Sequence, residues 1–136
     1  SAIWVKGDII ILNGNVTIQD TVYELQADRV RYYVRENLAY ASGKKVTITS
    51  FADSIQAIGT NAYYSRDSAL FRMLQRPTVF LNYPDSARMV QVDADRVAFD
   101  GNSRIAYADG DVLINQAETE ARSGRAIQRR RGGIRK

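Results

Sequence analysis

The chain has 136 residues and contains neither cysteine nor histidine, which excludes disulfide bonds, thiolate zinc sites, cysteine nucleophiles and histidine bases. Its formal net charge of +4 is uneven, because seven of the 19 basic residues lie in residues 122–136, where no acid occurs. The other 12 basic residues stand against 15 acidic ones, so the positive charge belongs to the C-terminal end and not to the rest of the chain.

Alternating apolar and polar residues run through most of the chain and predict half-buried strands, most clearly at residues 15–19, 45–49 and 111–114. Turn signals rich in Gly, Asn, Asp and Pro separate these stretches. They lie at residues 13–15, 35–37, 42–44, 59–61, 66–68, 83–85, 100–102 and 109–111. The pattern predicts an all-β chain of about a dozen or more short strands.

Residues 68–75 are the one stretch that also fits a helix, which Pro77 would end. The strand interpretation is favoured, because residues 76–81 then continue as a strand opened by proline. No run of 18 apolar residues occurs, so no membrane-spanning segment is predicted.

An internal repeat accompanies the alternation: residues 23–32 recur at 90–99, and a third copy with one extra residue occupies 55–64. In the first copy the apolar side chains are spaced by two, three and two positions: Leu25, Ala27, Val30 and Tyr32. The extra position at Asp28–Arg29 predicts a bend or bulge that re-aims the inward face. Bent units of this kind must pack on one another, as in a jelly roll, a rolled sheet or a solenoid.

The order of these motifs is distinctive. Two glycines and Asn-Val-x-Ile occupy residues 7–18, Leu-x-Ala-Asp-x-Val-x-Tyr follows at 25–32, and Ala-x-Gly at 41–43 precedes the next alternating strand. In this order, over roughly residues 3–127, the chain resembles the lipopolysaccharide-transport protein A (LptA) family, also called the OstA-like or organic-solvent-tolerance domain.

The resemblance implies an open, twisted antiparallel β-jelly roll built from repeated bent-strand units. It implies a periplasmic protein that binds lipopolysaccharide and holds the acyl chains of lipid A in an apolar groove. Its edge strands would pair with further copies or with LptC- and LptD-like proteins, forming a bridge toward the outer membrane. Enzymatic activity, a cofactor, a metal, nucleic acid and a membrane-spanning segment are not expected.

The family's lipid contacts are inward-facing apolar side chains, and the inward face is inferred here from the alternation. On matched positions the groove residues would be Ile9, Ile11, Val16, Ile18, Leu25, Ala27, Val30, Tyr32, Val97, Phe99, Val112 and Ile114. For any single one of them, filling a closed core is the more common role. The competing hypothesis is therefore a self-associating β-repeat module with a dry, closed interior and no lipid ligand.

Some features depart from the family pattern. Only six residues precede Gly7, so the family's N-terminal strand is expected to be short or absent, and residues 68–85 are longer than the matching turn region. The domain is predicted at residues 1–127, followed by a basic, flexible tail at 128–136. No signal peptide is visible. A compact bridge protein, the soluble domain of an outer-membrane partner and a slice of a longer repeat protein all remain open.

Three other groups of residues invite a function. The paired aspartates at 93, 95, 109 and 111 suggest a glycosidase or a calcium site, but turn capping and solvated faces explain them more simply. The eight tyrosines are expected to form cross-strand pairs more readily than to stack sugars or bases, and Trp4 to pack or mark an interface. The arginine-rich end could bind lipid A phosphates or a membrane surface.

Overall fold

The computed structural model describes residues 2–116 and 127–133, and over these residues the chain is all-β, without a helix. The strands are β1 (Ala2–Lys6), β2 (Ile9–Gln19), β3 (Glu24–Tyr33), β4 (Leu38–Ser50), β5 (Ile55–Ser65), β6 (Leu70–Met73), β7 (Thr78–Leu81), β8 (Val90–Asp93), β9 (Arg96–Asp100), β10 (Ile105–Gln116) and β11 (Ile127–Gly133). They form one antiparallel sheet, in the order β1-β2-β3-β4-β5-β6-β9-β10-β8-β7, with β11 along β10.

The sheet folds back on itself because its long strands cross between two layers. Strand β5 pairs with β6 near its C-terminal end and with β7 near its N-terminal end. Strand β10 likewise pairs first with β9 and then with β8. We call the layer that contains β1, β6 and β9 the first layer, and the layer that contains β7 and β8 the second; β2 to β5 and β10 contribute one half to each. This is the predicted jelly-roll architecture.

The long strands bend where their pairing register shifts. Shifts occur between Asn13 and Val16 in β2, between Gln26 and Arg29 in β3, and between Ser42 and Val46 in β4, with a similar one in β10. The bend predicted at Asp28–Arg29 is therefore confirmed. Each irregularity adds twist and lets one strand serve both layers.

Several predicted turns are wrong for the same reason. The signals at residues 13–15, 42–44, 59–61 and 109–111 lie inside β2, β4, β5 and β10. Gly14, Gly43 and Gly110 do adopt positive φ, but they use it at a bulge within a continuing strand and not at a chain reversal. Over residues 2–116 and 127–133 the strands are consequently fewer and longer than predicted.

An aspartate and a glycine from neighbouring segments meet at two of the bends. The backbone N–H of Lys44 donates to Asp28 Oδ2 at 2.9 Å, and a Cβ on Gly43 would overlap the Asp28 side chain. In the last copy of the repeat, the Asp95 N–H donates to the Gly110 carbonyl at 2.8 Å, with the Asp95 carboxylate beside Gly110. This close approach explains why Ala-Asp and Gly recur together in the sequence.

The remaining elements bear on three expectations. Residues 68–75 contain β6, so the strand interpretation is confirmed and the helical alternative is wrong. A short strand, β1, does precede Gly7 and pairs with β2. Residues 128–133, predicted as part of the flexible tail, lie in β11 along β10, whereas residues 134–136 lie outside the described part of the chain.

The core lies between the layers. Side chains that are almost completely buried there come from both layers and from the β2–β3 connection: Tyr23, Leu25, Val30, Val46, Ile48, Phe71, Met73, Val92, Phe99 and Val112. Its aromatic members pack on one another, since Tyr23 contacts both Phe71 and Phe99 at ring-centroid distances of 5.3 and 5.5 Å. This packing holds the two layers together.

We expect Gly110→Ala to lower the free energy of unfolding by more than Gly7→Ala. Both substitutions place alanine at a positive φ, which costs about 1–2 kcal/mol. At Gly110 the new methyl would also lie 2.6 Å from Asp95 Oδ2, whereas at Gly7 it would meet nothing within 4 Å. Denaturant unfolding of both variants measures the difference, and equal losses would show that the Asp95 side chain does not restrict the space at Gly110.

Candidate functional site

A cavity of about 660 Å³ opens between the layers at the β1–β2 end of the fold, a volume typical of small-ligand sites. Most of the side chains that line it are apolar or aromatic: Ile3, Val5, Ile10, Leu12, Ile18, Val30, Tyr32, Ala39 and Tyr64. Three polar residues complete the lining: Gln19, Asp20 and Arg66. Gln19 and Arg66 are exposed and Asp20 is half-buried, so the polar part borders the solvent.

Strand β1 leaves the cavity open to water. Ile3 and Val5 are 67% and 65% exposed, yet both line the cavity. They lie two positions apart on a strand and therefore share one face. Adjacent exposed apolar side chains beside an apolar cavity are the pattern of a binding surface more than of a filled core.

Strand β2 supplies the floor through its even-numbered residues. Ile10 and Leu12 line the cavity, and Leu12 also packs against the buried core. Ile9 and Ile11 do not line it, because alternate residues of a strand point to opposite faces. Ile11 pairs instead with Arg31 on the outer face of the first layer.

Asp20 organises the polar part of the lining. The Tyr64 hydroxyl donates to Asp20 Oδ2 at 2.8 Å, and the Thr21 backbone N–H donates to Oδ1 at 2.6 Å. Burial, the largest single influence, raises the pKa of the Asp20 carboxyl, but these hydrogen bonds and the charge of Arg66 outweigh it, so the pKa lies below its ordinary value. Burial and the Asp20 carboxylate raise the pKa of Tyr64 to about 12.

The cavity does not run through the whole interior. A second, smaller cavity of about 180 Å³ lies at the opposite end, between β7–β8 and β9–β10. Between the two, the interior is packed by Tyr23, Phe71, Leu25 and Ile48, each at most 1% exposed. The layers are thus apart at both ends and closed in the middle.

The residues predicted for a groove are distributed over four places. Three line the larger cavity: Ile18, Val30 and Tyr32. Two line the smaller cavity: Val97 and Phe99. Five belong to the packed core or lie against it: Val16, Leu25, Ala27, Val112 and Ile114. Ile9 and Ile11 are on the outer face. Binding of a ligand by any of these residues stays a prediction.

Sequence reasoning missed several lining residues for identifiable reasons. Ile3 and Val5 were overlooked because the N-terminal strand was expected to be short or absent. Residues 9–12 are all apolar, so alternation alone gives no choice of face there. Counting back in steps of two from Val16, which is buried, does reach Leu12 and Ile10.

The aspartates and tyrosines have structural contacts. The Thr78 hydroxyl donates to Asp93 at 2.6 Å, and Arg76 and Arg96 form ion pairs with Asp95 and Asp109, each at 3.0 Å. The two ion pairs lie at the surface, in agreement with the solvated-face role, whereas residues 109–111, predicted as a turn, lie inside β10. No cluster of three or more potential metal-ligating side chains occurs among the described residues.

Cross-strand aromatic pairing is also observed. Tyr40 and Tyr63 face each other across β4 and β5 at a centroid distance of 4.8 Å, and the Arg72 guanidinium lies 5.6 Å from the Tyr63 ring. Trp4 lies in β1 opposite Ile11, and its side chain is outside the described part of the structure. Residues 2–116 and 127–133 contain no helix of membrane-spanning length and apolarity.

Comparison with known proteins gives a match of fold. No family model matches the sequence, and no curated protein is significantly similar to it. Among solved structures, the chain is similar to LptH from Pseudomonas aeruginosa, the LptA-homologous periplasmic component of the conserved lipopolysaccharide transport device, with 11% sequence identity and a TM-score of 0.65. The match covers 94% of this chain and 89% of that one. The chain therefore has the LptA-like fold.

Replacing Tyr64 with phenylalanine should raise the pKa of Asp20 and cost about 1 kcal/mol of stability, because a hydrogen bond to a half-buried carboxylate is lost. A lowered carboxyl pKa stabilises the fold above the ordinary pKa, and this contribution is lost as pH falls through the lowered value. Stability of the variant should therefore fall less steeply on acidification.

An NMR titration of the Asp20 carboxyl carbon, together with unfolding curves over acidic pH, measures both effects. Tyr32→Phe is the matched control, since the Tyr32 hydroxyl donates to Asn37 and not to Asp20. An Asp20 titration that is identical in the wild type and Tyr64→Phe would contradict the role given to this hydrogen bond.

Proposed function

We propose that this chain is a non-enzymatic lipid carrier of the periplasm, which binds lipopolysaccharide by holding acyl chains of lipid A in the cavity between its layers. The observation that carries the proposal is the 660 Å³ cavity, whose apolar lining remains open to solvent. The LptA-like fold adds support, because the similar solved protein is described as a component of a lipopolysaccharide transport device.

The physical argument concerns water at the cavity. Each methylene group that moves from water into an apolar environment contributes about 0.8 kcal/mol. An acyl chain over Ile3, Val5 and Ile10 would remove both its own surface and theirs from water. Loss of this water-exposed apolar surface, on the acyl chain and on the cavity, favours the complex.

The polar side chains suit an amphiphile that carries negative charge. Arg66 lies at the solvent border, and no ion pair within 4.0 Å is found for it among the described residues. A phosphorylated head group would meet this guanidinium while its acyl chains remain among the apolar residues. The revised groove consists of the cavity lining, with Ile10 and Leu12 in place of Ile9 and Ile11.

We further propose that the edge strands mediate assembly. Strand β1 ends the strand order, and β11 pairs only with β10 among the described strands. Each therefore offers backbone donors and acceptors to an added strand. Pairing with further copies, or with LptC- and LptD-like proteins, would extend the fold toward the outer membrane. The alternative is assembly through these edges without any lipid ligand.

We expect Ile10→Asp to weaken binding of rough lipopolysaccharide at least about tenfold, because the charge would have to be desolvated in the cavity. Ile11→Asp is the matched control: the same substitution on the adjacent residue, on the outer face. Fluorescence titration measures the affinity, circular dichroism checks folding, and mass spectrometry identifies bound glycolipid. Equal affinities for two folded variants would place the lipid elsewhere, and no binding by the wild type would overturn the proposed function.

The assembly proposal has a separate test. Light scattering over a range of protein concentrations, with and without lipopolysaccharide, should show growth into larger species through edge pairing. Association of a wild-type protein that binds no glycolipid would favour the alternative of a purely structural module. A protein that binds glycolipid but remains monomeric at all concentrations would contradict self-assembly and leave the partner proteins as the only candidates for the edges.

A further inference from the structure

We infer that an aromatic wall, formed by Tyr64, Phe71 and Tyr23, ends the ligand cavity inside the fold and sets the length of acyl chain that the protein accepts. This inference rests on the proposed function, and it makes the three residues determinants of ligand specificity. It predicts a slot of limited depth where an open groove would run from one end of the fold to the other.

The position of the wall follows from the strand register of the first layer. Directly paired residues form a row across its inner face: Ile10, Tyr32, Ala39, Tyr64, Phe71, Phe99 and Ala106. The row begins at the larger cavity, which its members up to Tyr64 line, and ends at the smaller cavity, which Phe99 and Ala106 line. Phe71 lines neither and stands between them.

The second layer has the same arrangement. Its row of paired residues runs through Ile18, Leu25, Ile48, Ala57, Val79, Val92 and Ile114. Ile18 lines the larger cavity, and Val79 and Val92 line the smaller one. The three residues between them, Leu25, Ile48 and Ala57, are completely buried. The inner faces of both layers are therefore completely buried over the same middle section.

Aromatic contacts make this section continuous. The rings of Tyr64 and Phe71 stack at 4.3 Å, and Tyr23 meets Phe71 edge-on at 5.3 Å. Phe71 is 0% and Tyr23 1% exposed, so no gap admits solvent there. A chain that enters past Ile3 and Val5 would reach the Tyr64 ring and stop.

Tyr23 reaches the wall from the β2–β3 connection. The Asp20 N–H donates to the Tyr23 carbonyl at 2.8 Å, which closes this connection into a tight turn. The Tyr23 hydroxyl is buried and has no hydrogen-bond partner in the described structure, an arrangement that costs free energy. Its ring is nevertheless held among Phe71 and Phe99, which is consistent with a role in closing the interior.

The test compares saturated fatty acids from octanoate to octadecanoate, below their critical micelle concentrations. Affinity of the wild type should rise about fourfold with each added methylene until the chain reaches the wall, and then stop rising. In Phe71→Ala, removal of the ring joins the two cavities, so the affinity should continue to rise to longer chains. Phe71→Leu, which keeps an apolar side chain, should give a smaller increase in the limiting chain length. It replaces Phe71→Ala in the test if that variant does not fold.

Met73→Ala is the matched control. Met73 lies on the same strand and inner face and is also completely buried, but its side chain lies against Gly59 and it pairs with Val97, whereas Phe71 pairs with Tyr64 and Phe99. Its truncation should lower stability without changing the limiting chain length. If the limiting chain length is the same in the wild type and in the folded Phe71 variants, the proposed wall is wrong. A wild-type affinity that rises to the longest chain would also contradict it. A wild type that binds none of the fatty acids would instead overturn the proposed function.

Discussion

The fold depends on the ability of four long strands to bend without breaking their pairing. Strands β2, β3, β4 and β10 each change register at one point, and each then continues in the other layer. At two of these points an aspartate side chain occupies the space that a Cβ on the facing glycine would need. Without the bends, the sheet would remain one flat layer with an exposed apolar face, and no interior would form.

The interior that results is unevenly filled. Aromatic rings from β5, β6, β9 and the β2–β3 connection hold the layers together in the middle, while the ends remain apart. Stability and ligand binding make opposite demands on such an interior, because packed side chains stabilise the fold and empty apolar space destabilises it. Because the packed side chains and the empty apolar space lie in different sections, one sheet can provide both stability and a ligand cavity.

Polar contacts link the same two sections. Asp20 joins the turn that carries Tyr23 to the hydroxyl of Tyr64, so one carboxylate links the solvent border of the cavity to the aromatic section behind it. Elsewhere the acidic residues join strands and turns, as Asp95 does with Arg76. Both aspartates therefore hold connections between strands in place.

The sequence by itself determined the fold class, the bend at Asp28–Arg29 and the resemblance to LptA-like proteins. Alternation and the repeated Ala-Asp and Gly positions are local signals, and they determine directly where the backbone is extended and where it bends. Three of the residues predicted for a groove, Ile18, Val30 and Tyr32, line the larger cavity, and their binding of a ligand stays a prediction.

The tertiary structure alone decided the rest. Glycine signals at bulges and at turns are the same in sequence, and only pairing with a neighbouring strand distinguishes them. The four apolar residues 9–12 give no choice of face until β2 is placed in register with β3. Whether an inward residue lies in a core or beside a cavity depends on how closely the two layers pack around it: Phe71 is completely buried in the middle section, whereas Ile10 lines the larger cavity.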